Sequence, residues 1–144
     1  MIIRRLKKSE IKPVAALMLT EFKKPPYNEQ SDIKSVVKSL KFYCTIGKIY
    51  VAICEKRAVG ALIFKIERYW EGDVIIIEDL VVKEEYKKRG IGKNLMKKVE
   101  AYAKRHKLKK ILLKTNKKSS ALNFYCKMNY KIMKELIGFE KKIK

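Results

Sequence analysis

The residues whose types and spacing could do chemistry fall in two neighbouring groups. One is the carboxylate pair Glu78-Asp79; the other is Gly90-Ile91-Gly92, set in the basic stretch Lys87-Lys88-Arg89-Gly90-Ile91-Gly92-Lys93. The glycines follow a strand-like segment and open a helix-like one. A helix start leaves N–H groups unpaired and carries a partial positive charge. Glycine lets an anion approach that backbone, so the segment can seat a phosphate. It is not a P-loop, which needs G-x-x-x-x-G-K-[ST]. Nor is it the dinucleotide fingerprint, because Leu95 stands where a third glycine or alanine belongs. The carboxylates belong to an acidic island: Glu67, Glu71, Asp73, Glu78, Asp79, Glu84 and Glu85 are seven of the fifteen acids. Such an island can hold a cation, and it can equally offset the lysines around it.

The elements that must position these groups are legible from periodicity. Ser9 is placed to cap a helix from Glu10 to Phe22 that carries Ile11, Val14, Leu17 and Met18 on one face. Ser31 or Asp32 caps a second helix bearing Ile33, Val36, Val37 and Leu40. Lys48 to Cys54, Ala58 to Tyr69 and Val74 to Val82 read as three strands joined by the polar turns Glu55-Lys56-Arg57 and Glu71-Gly72-Asp73, an antiparallel meander. Gly90 to His106 reads as a helix with Ile91, Leu95, Met96, Val99 and Ala103 inward. Lys110 to Thr115 is a strand with a buried centre, Ser119 or Ser120 caps a short helix, and Lys131 to Ile143 is β-rich. Strand, helix, strand from Val74 to Thr115 implies a parallel pair, so the sheet is mixed. No repeat or linker divides the 144 residues, and residues 1–144 read as a single domain.

Composition bounds the function. No apolar run nears the ~18 residues of a membrane span, and the N-terminus does not read as a signal peptide. Cys44, Cys54 and Cys126 lack metal-ligand spacing and read as reduced cytoplasmic thiols. His106 is the one histidine, which argues against histidine catalysis and against a metal site; it is placed to end a helix. The net charge of +21 raises the question of nucleic acid. The cations are mostly lysine, spread through every segment without clustered arginines or aromatics, which argues against base or phosphate reading.

The strand Ile75 to Val82, the loop Lys83 to Arg89, Gly90-Ile91-Gly92-Lys93 and the downstream Ala121-Leu122-Asn123-Phe124-Tyr125-Cys126-Lys127-Met128-Asn129-Tyr130 together resemble the GNAT acetyltransferase superfamily. The patterns concerned are [Q/R]-x-x-G-x-[G/A] and, roughly, N-x-x-A-x-x-[F/L]-Y-x-K-x-G-[F/Y]. Lys87 stands at the usual Gln or Arg position, Lys118 where Asn is usual, with Asn116 two residues early, and Asn129 replaces Gly. Asn tolerates the left-handed conformation best after Gly, so that last change should cost little.

The resemblance implies an α/β fold with a mixed, mostly antiparallel sheet of six to seven strands and about four helices. It also implies acetyl-CoA as co-substrate and, as a family expectation, a homodimer. It places the pyrophosphate on the backbone of Lys87, Lys88, Arg89, Gly90, Ile91, Gly92 and Lys93, with Lys118 further along. The pantetheine would lie along Leu80, Val81 and Val82 as an added strand. Tyr125 matches the family's tyrosine general acid. An attacking amine is mostly protonated at neutral pH and must lose a proton. Glu78 is the expected base, with Asp79 supporting it or binding the amine. In a regular strand the two face opposite sides, and a bulge would re-aim them. Glu-Asp here looks like the polyamine and aminoglycoside-type members, which points to a cationic small-molecule amine. A protein or peptide amine, or a basic nucleic-acid-binding module that keeps only the fold, are the competing readings. Tyr69 and Trp70 could line a substrate pocket or form an interface patch.

Overall fold

The computed structural model describes all 144 residues and divides into two units, Met1–Lys114 and Thr115–Lys144. The first unit contains strands β1 (Ile2–Arg5), β2 (Gly47–Cys54), β3 (Arg57–Tyr69), β4 (Gly72–Val82) and β5 (Ile111–Leu113). Its helices are α1 (Ile11–Phe22), α2 (Ile33–Ile46) and α3 (Ile91–Arg105). The strands form one sheet in the order β1-β2-β3-β4-β5. All neighbours are antiparallel except β4 and β5, which run parallel with α3 between them in the chain. The meander and the parallel pair read from the sequence are both present.

The two faces of the sheet are covered by different helices. Ile49, Val51, Ala61, Ile63 and Val81 alternate along β2, β3 and β4 and meet Ile11, Val14, Leu17 and Met18 of α1 and Leu40 of α2 in one buried cluster. The residues between them take the other face, as strand pleating requires. There the Phe64 ring meets Tyr102 of α3 at 5.2 Å. Leu40, Val51, Leu62, Phe64 and Leu95 are all but inaccessible to water. Each such side chain contributes roughly 1.5–3 kcal/mol of burial.

Local chemistry sets the helix ends. Asp32 caps α2 by accepting the Ser35 N–H at 2.8 Å. The expected Ser9 cap of α1 is absent. A single 3-10 turn, Lys8–Glu10, precedes α1, and the Glu10 carboxylate takes both the Lys7 N–H and the Arg4 guanidinium. Ser9 thus lies inside that turn, and the N-cap position of α1 falls to Glu10.

The second unit holds α4 (Ala121–Lys127), with the Ala121 N–H on Ser119 Oγ at 3.1 Å. Asn129 follows at φ 67°, the left-handed conformation expected of it. The β-rich reading of Lys131 to Ile143 is corrected: no strand forms there, and Ile132, Leu136, Ile137, Phe139 and Ile143 are exposed. The sheet therefore has five strands, not six to seven. A strand exists through pairing, which β-propensity alone does not supply. β5 is also only half-buried rather than buried at its centre.

Gly60 on β3 sets how closely α3 approaches the sheet. A Cβ there would lie 3.1 Å from both the Ile91 side chain and the Val81 carbonyl, and 3.3 Å from Leu95. Ile91 and Leu95 form the first turn and a half of α3, so Gly60 seats the helix end next to the glycine loop. Gly60→Val is expected to destabilise the fold by about 1–3 kcal/mol through overpacking, read as a lower urea midpoint at unchanged m-value.

Candidate functional site

The chain turns from β4 into α3 through a 3-10 turn, Glu84–Tyr86, and two left-handed residues, Lys88 at φ 61° and Gly90 at φ 81°. Only glycine takes this conformation freely, and Gly90 is the N-cap residue of α3. The first intrahelical bond here runs from the Asn94 N–H to the Gly90 carbonyl. The N–H groups of Lys88, Arg89 and Gly90 have no acceptor in the protein, and those of Ile91, Gly92 and Lys93 open the helix. Successive unpaired amides at a left-handed turn make an anion-binding concavity.

The cations around this concavity are not equally available. Lys87 Nζ lies 2.7 Å from Glu84 and 3.5 Å from the buried Glu21 of α1. Burial works against its charge, but Glu84 and Glu21 outweigh it and its pKa is raised. Lys24 takes the other Glu21 oxygen at 3.1 Å. The Arg89 guanidinium stacks over Tyr86 at 5.0 Å. Lys88 and Lys93 are exposed and enter no ion pair. Glu21, which the sequence reading passed over, thus ties α1 to the loop.

Beyond Ile77, β4 has a neighbour on one side only, because β5 pairs with Ile75, Ile76 and Ile77 and then ends. On the other side the Lys83 N–H bonds to the Val59 carbonyl. Antiparallel alternation then turns the peptide groups of Leu80 and Val82 away from β3, toward the open side. Val81 instead faces the core.

The carboxylates sit where this edge begins. Along β4 the partner of Ile63 is Asp79 and that of Phe64 is Ile77, which leaves Glu78 as the extra residue of a β-bulge. The expected opposition of faces is therefore removed: both carboxylates lie on the α1/α2 side. Glu78 receives Lys65 Nζ at 3.1 Å and the Tyr43 hydroxyl at 3.4 Å. Burial raises the Tyr43 pKa, and Glu78 and Asp79 raise it further.

The Asp79 carboxylate has no hydrogen bond or ion pair. It lines a cavity of about 240 Å³ with Met18, Leu19 and Phe22 of α1, Ser35, Val36, Ser39 and Tyr43 of α2, and Glu29 and Ser31 before it. Burial, then the charges of Glu29 and Glu78, push its pKa up to about 7. Glu29, Ser31 and Ser35 also line a wider outer cleft of about 730 Å³. The serines recur every fourth residue, a spacing that could have marked this wall; Glu29 lies in a loop with no periodic signal.

Tyr125 and Lys118 belong to the second unit. Tyr125 is buried in α4 with edge-on ring contacts to Phe124 at 5.0 Å and Tyr130 at 5.8 Å. The Lys118 N–H donates to Asn116 Oδ1 at 2.8 Å. Trp70 is fully exposed at the β3–β4 turn, away from the cavity lining.

A family model described as Acetyltransferase (GNAT) family matches residues 16–130. No curated protein matches the sequence. Among solved structures, a possible acetyltransferase from Clostridium difficile 630 superposes with TM-score 0.86 at 17% identity, over 99% of this chain and 98% of that one. The aminoglycoside antibiotic 6'-N-acetyltransferase AAC(6')-IG from Acinetobacter haemolyticus gives 0.79 at 16% identity, over all of both chains. The aminoglycoside acetyltransferase meta-AAC0020 from an uncultured soil metagenomic sample, in complex with sisomicin, gives 0.78 at 20% identity, over 99% and 96%.

The uncompensated position of Asp79 has a consequence for stability. Unfolded, the carboxyl returns to its ordinary value of 3.8; folded, it holds its proton up to about 7. Between these values the folded state binds the extra proton, so stability falls as pH rises from about 4 through 7. Asp79→Asn removes that penalty. The variant is expected to melt higher than the parent at pH 8, by about 3–6 °C, with the difference shrinking as pH falls toward 4, measured by calorimetry across pH.

Proposed function

Since the chain belongs to the GNAT acetyltransferase family, we propose that it moves an acetyl group from acetyl-CoA directly to the primary amine of a cationic small molecule. Asp79 is the base in this reading. The observation that carries it is the contrast within the carboxylate pair. Asp79 lies uncompensated in a cavity, with its pKa near the working pH, whereas Glu78 is held by Lys65 and Tyr43. A general base works best when its pKa lies close to the operating pH. The sequence reading favoured Glu78; the geometry favours its neighbour and leaves Glu78 to hold Lys65 and Tyr43 in place.

The residues present fit acetyl-CoA. The unpaired amides of Lys88 to Lys93 suit a pyrophosphate, aided by the field of Lys88, Arg89 and Lys93. Lys87 braces the loop against α1 through Glu21 and Glu84. The outward peptide groups of Leu80 and Val82 suit the amides of a pantetheine arm. Acetyl-CoA supplies an activated thioester carbonyl. Asp79 takes the ammonium proton, which frees the nitrogen lone pair. Strand amides polarise the acyl oxygen as it gains charge. Tyr125 donates a proton to the departing thiolate; its ordinary pKa near ~10 suits a thiol. Lys118 is the further cofactor contact that the resemblance implies. The family match runs across both units, which supports a single acetyltransferase domain over residues 1–144. Three free thiols support a cytoplasmic setting.

The structures named for aminoglycoside acetylation support a small-molecule acceptor over a peptide. Thiol release from acetyl-CoA over an amine panel tests the reading. Asp79→Asn is expected to lower kcat/KM by about 10²–10⁴-fold and to abolish the acid limb of the pH profile near 7. Tyr125→Phe is expected to lower kcat by about 10²-fold, and Glu78→Gln to lower kcat/KM by less than about tenfold. Loss of the limb in Glu78→Gln with its retention in Asp79→Asn would reverse the assignment.

A further inference from the structure

The glycine loop and the Asp79 cavity are joined on one side by the chain itself, because the loop follows β4 and β4 carries Asp79. The α1 wall of the cavity, formed by Met18, Leu19 and Phe22, comes from a distant part of the chain. Only side chains can tie it to the loop. Glu21 stands on this turn of α1, three residues after Met18 and therefore beside it on the helix surface. It is the most buried charged residue of the chain, 7% exposed.

A carboxylate withdrawn from water depends on the cations that reach it. Lys24, from the same end of α1, takes Glu21 Oε2 at 3.1 Å. Glu21 Oε1 has no hydrogen-bond partner, and its cation is Lys87 Nζ of the glycine loop at 3.5 Å. Glu84, in the loop's own 3-10 turn, holds the same ammonium at 2.7 Å. One side chain thus spans loop and helix. Its loss would leave Oε1 buried without a cation. An anion on the loop has other partners: the unpaired N–H groups of Lys88, Arg89 and Gly90, and the exposed Lys88 and Lys93. The partner of a buried charge is harder to remove than one at an exposed rim. Lys87 therefore stays with Glu21 when an anion arrives.

We propose that Lys87 and Glu21 are a positioning pair: an anion seated on the loop amides orders the loop, and Lys87 passes that order to α1 and its wall of the acceptor cavity. The inference rests on the acetyltransferase reading above, which makes the anion the pyrophosphate of the cofactor. It adds how cofactor occupancy is felt where the acceptor binds. Neither side chain touches a reacting atom. The coupling is reciprocal, so an acceptor packed on α1 also tightens the cofactor.

Amide hydrogen exchange of the full chain, with and without coenzyme A, tests the pair without an acceptor. In the parent chain, coenzyme A is expected to slow exchange in the peptide from Leu17 to Lys24 by about threefold or more. Glu84→Gln is expected to keep that slowing. Glu21→Gln and Lys87→Met are expected to lose it, while the calorimetric Kd for coenzyme A changes by less than about threefold. The double variant Glu21→Gln with Lys87→Met leaves no unpaired buried charge, and is expected to lose the slowing too; it carries the test if Lys87→Met alone does not fold. Slowing that persists in Glu21→Gln or in the double variant, or that is lost equally in Glu84→Gln, would overturn the inference. So would a Kd raised about tenfold in Lys87→Met and lowered in Glu21→Gln, the pattern of a direct phosphate ligand. A parent chain that binds coenzyme A without slowing in α1 would overturn it as well, and leave the acetyltransferase reading standing. A parent chain that does not bind coenzyme A would instead overturn that reading.

Discussion

The arrangement turns on one extra residue in β4. A strand alternates its side chains, so consecutive carboxylates should part to opposite faces. The bulge at Glu78 cancels that alternation locally. Ile75 and Ile77 remain on the α3 face while Glu78 and Asp79 both come to the α1/α2 face. A bulge also adds twist and bends the strand away from its course. The edge of β4 becomes unpaired directly after it, where β5 stops at Leu113. One irregularity thus gathers the acids, and beside it the open backbone edge begins.

Charge divides the molecule's work at short range. The chain carries +21 overall, which draws in polyanions and repels cations at a distance. Salt limits that field to about 8 Å under physiological conditions, so the local groups decide what settles where. Around Gly90 they are amides and lysines; around Asp79 they are Glu29, Glu78 and Asp79. Glu21 links the two regions. It is buried on α1, next to the cavity residue Phe22, and holds Lys87 of the glycine loop. Lysine, a compact point charge on a flexible stem, sits between Glu21 and Glu84 here. The departure from the family's Gln or Arg thereby acquires a structural use.

Much of this was legible in the residues. Apolar periodicity of 3.6 located α1, α2 and α3, alternation located β2, β3 and β4, and Asp32 announced its helix by its own chemistry. Gly90 announced a helix start open to an anion, its left-handed φ of 81° emerging only in the structure, whereas the left-handed Asn129 could be read from the residue itself. The misreadings have physical causes too. Ser9 lost its capping role because a 3-10 turn, Lys8–Glu10, takes it in and moves the N-cap position of α1 to Glu10, whose carboxylate is held by Arg4 six residues upstream. Lys131 to Ile143 has strand-like composition, yet a strand needs a partner's backbone and composition does not specify one.

The sequence by itself determined the order of elements from α1 to α4, the family, the glycines at the head of α3 and the pair of acids in the central strand. The elements, the glycines and the acids are local facts, each set by residues within reach of one turn or one pleat; the family rests on their order along the chain. Tertiary structure alone decided which acid is left without a partner. Lys65 and Tyr43 come from β3 and α2 to occupy Glu78, and Glu29, Met18 and Ser39 come from three separate segments to enclose Asp79. A pKa is set by everything within a few ångströms, whatever its distance along the chain. That is why the chain could show two carboxylates, and only the fold could tell them apart.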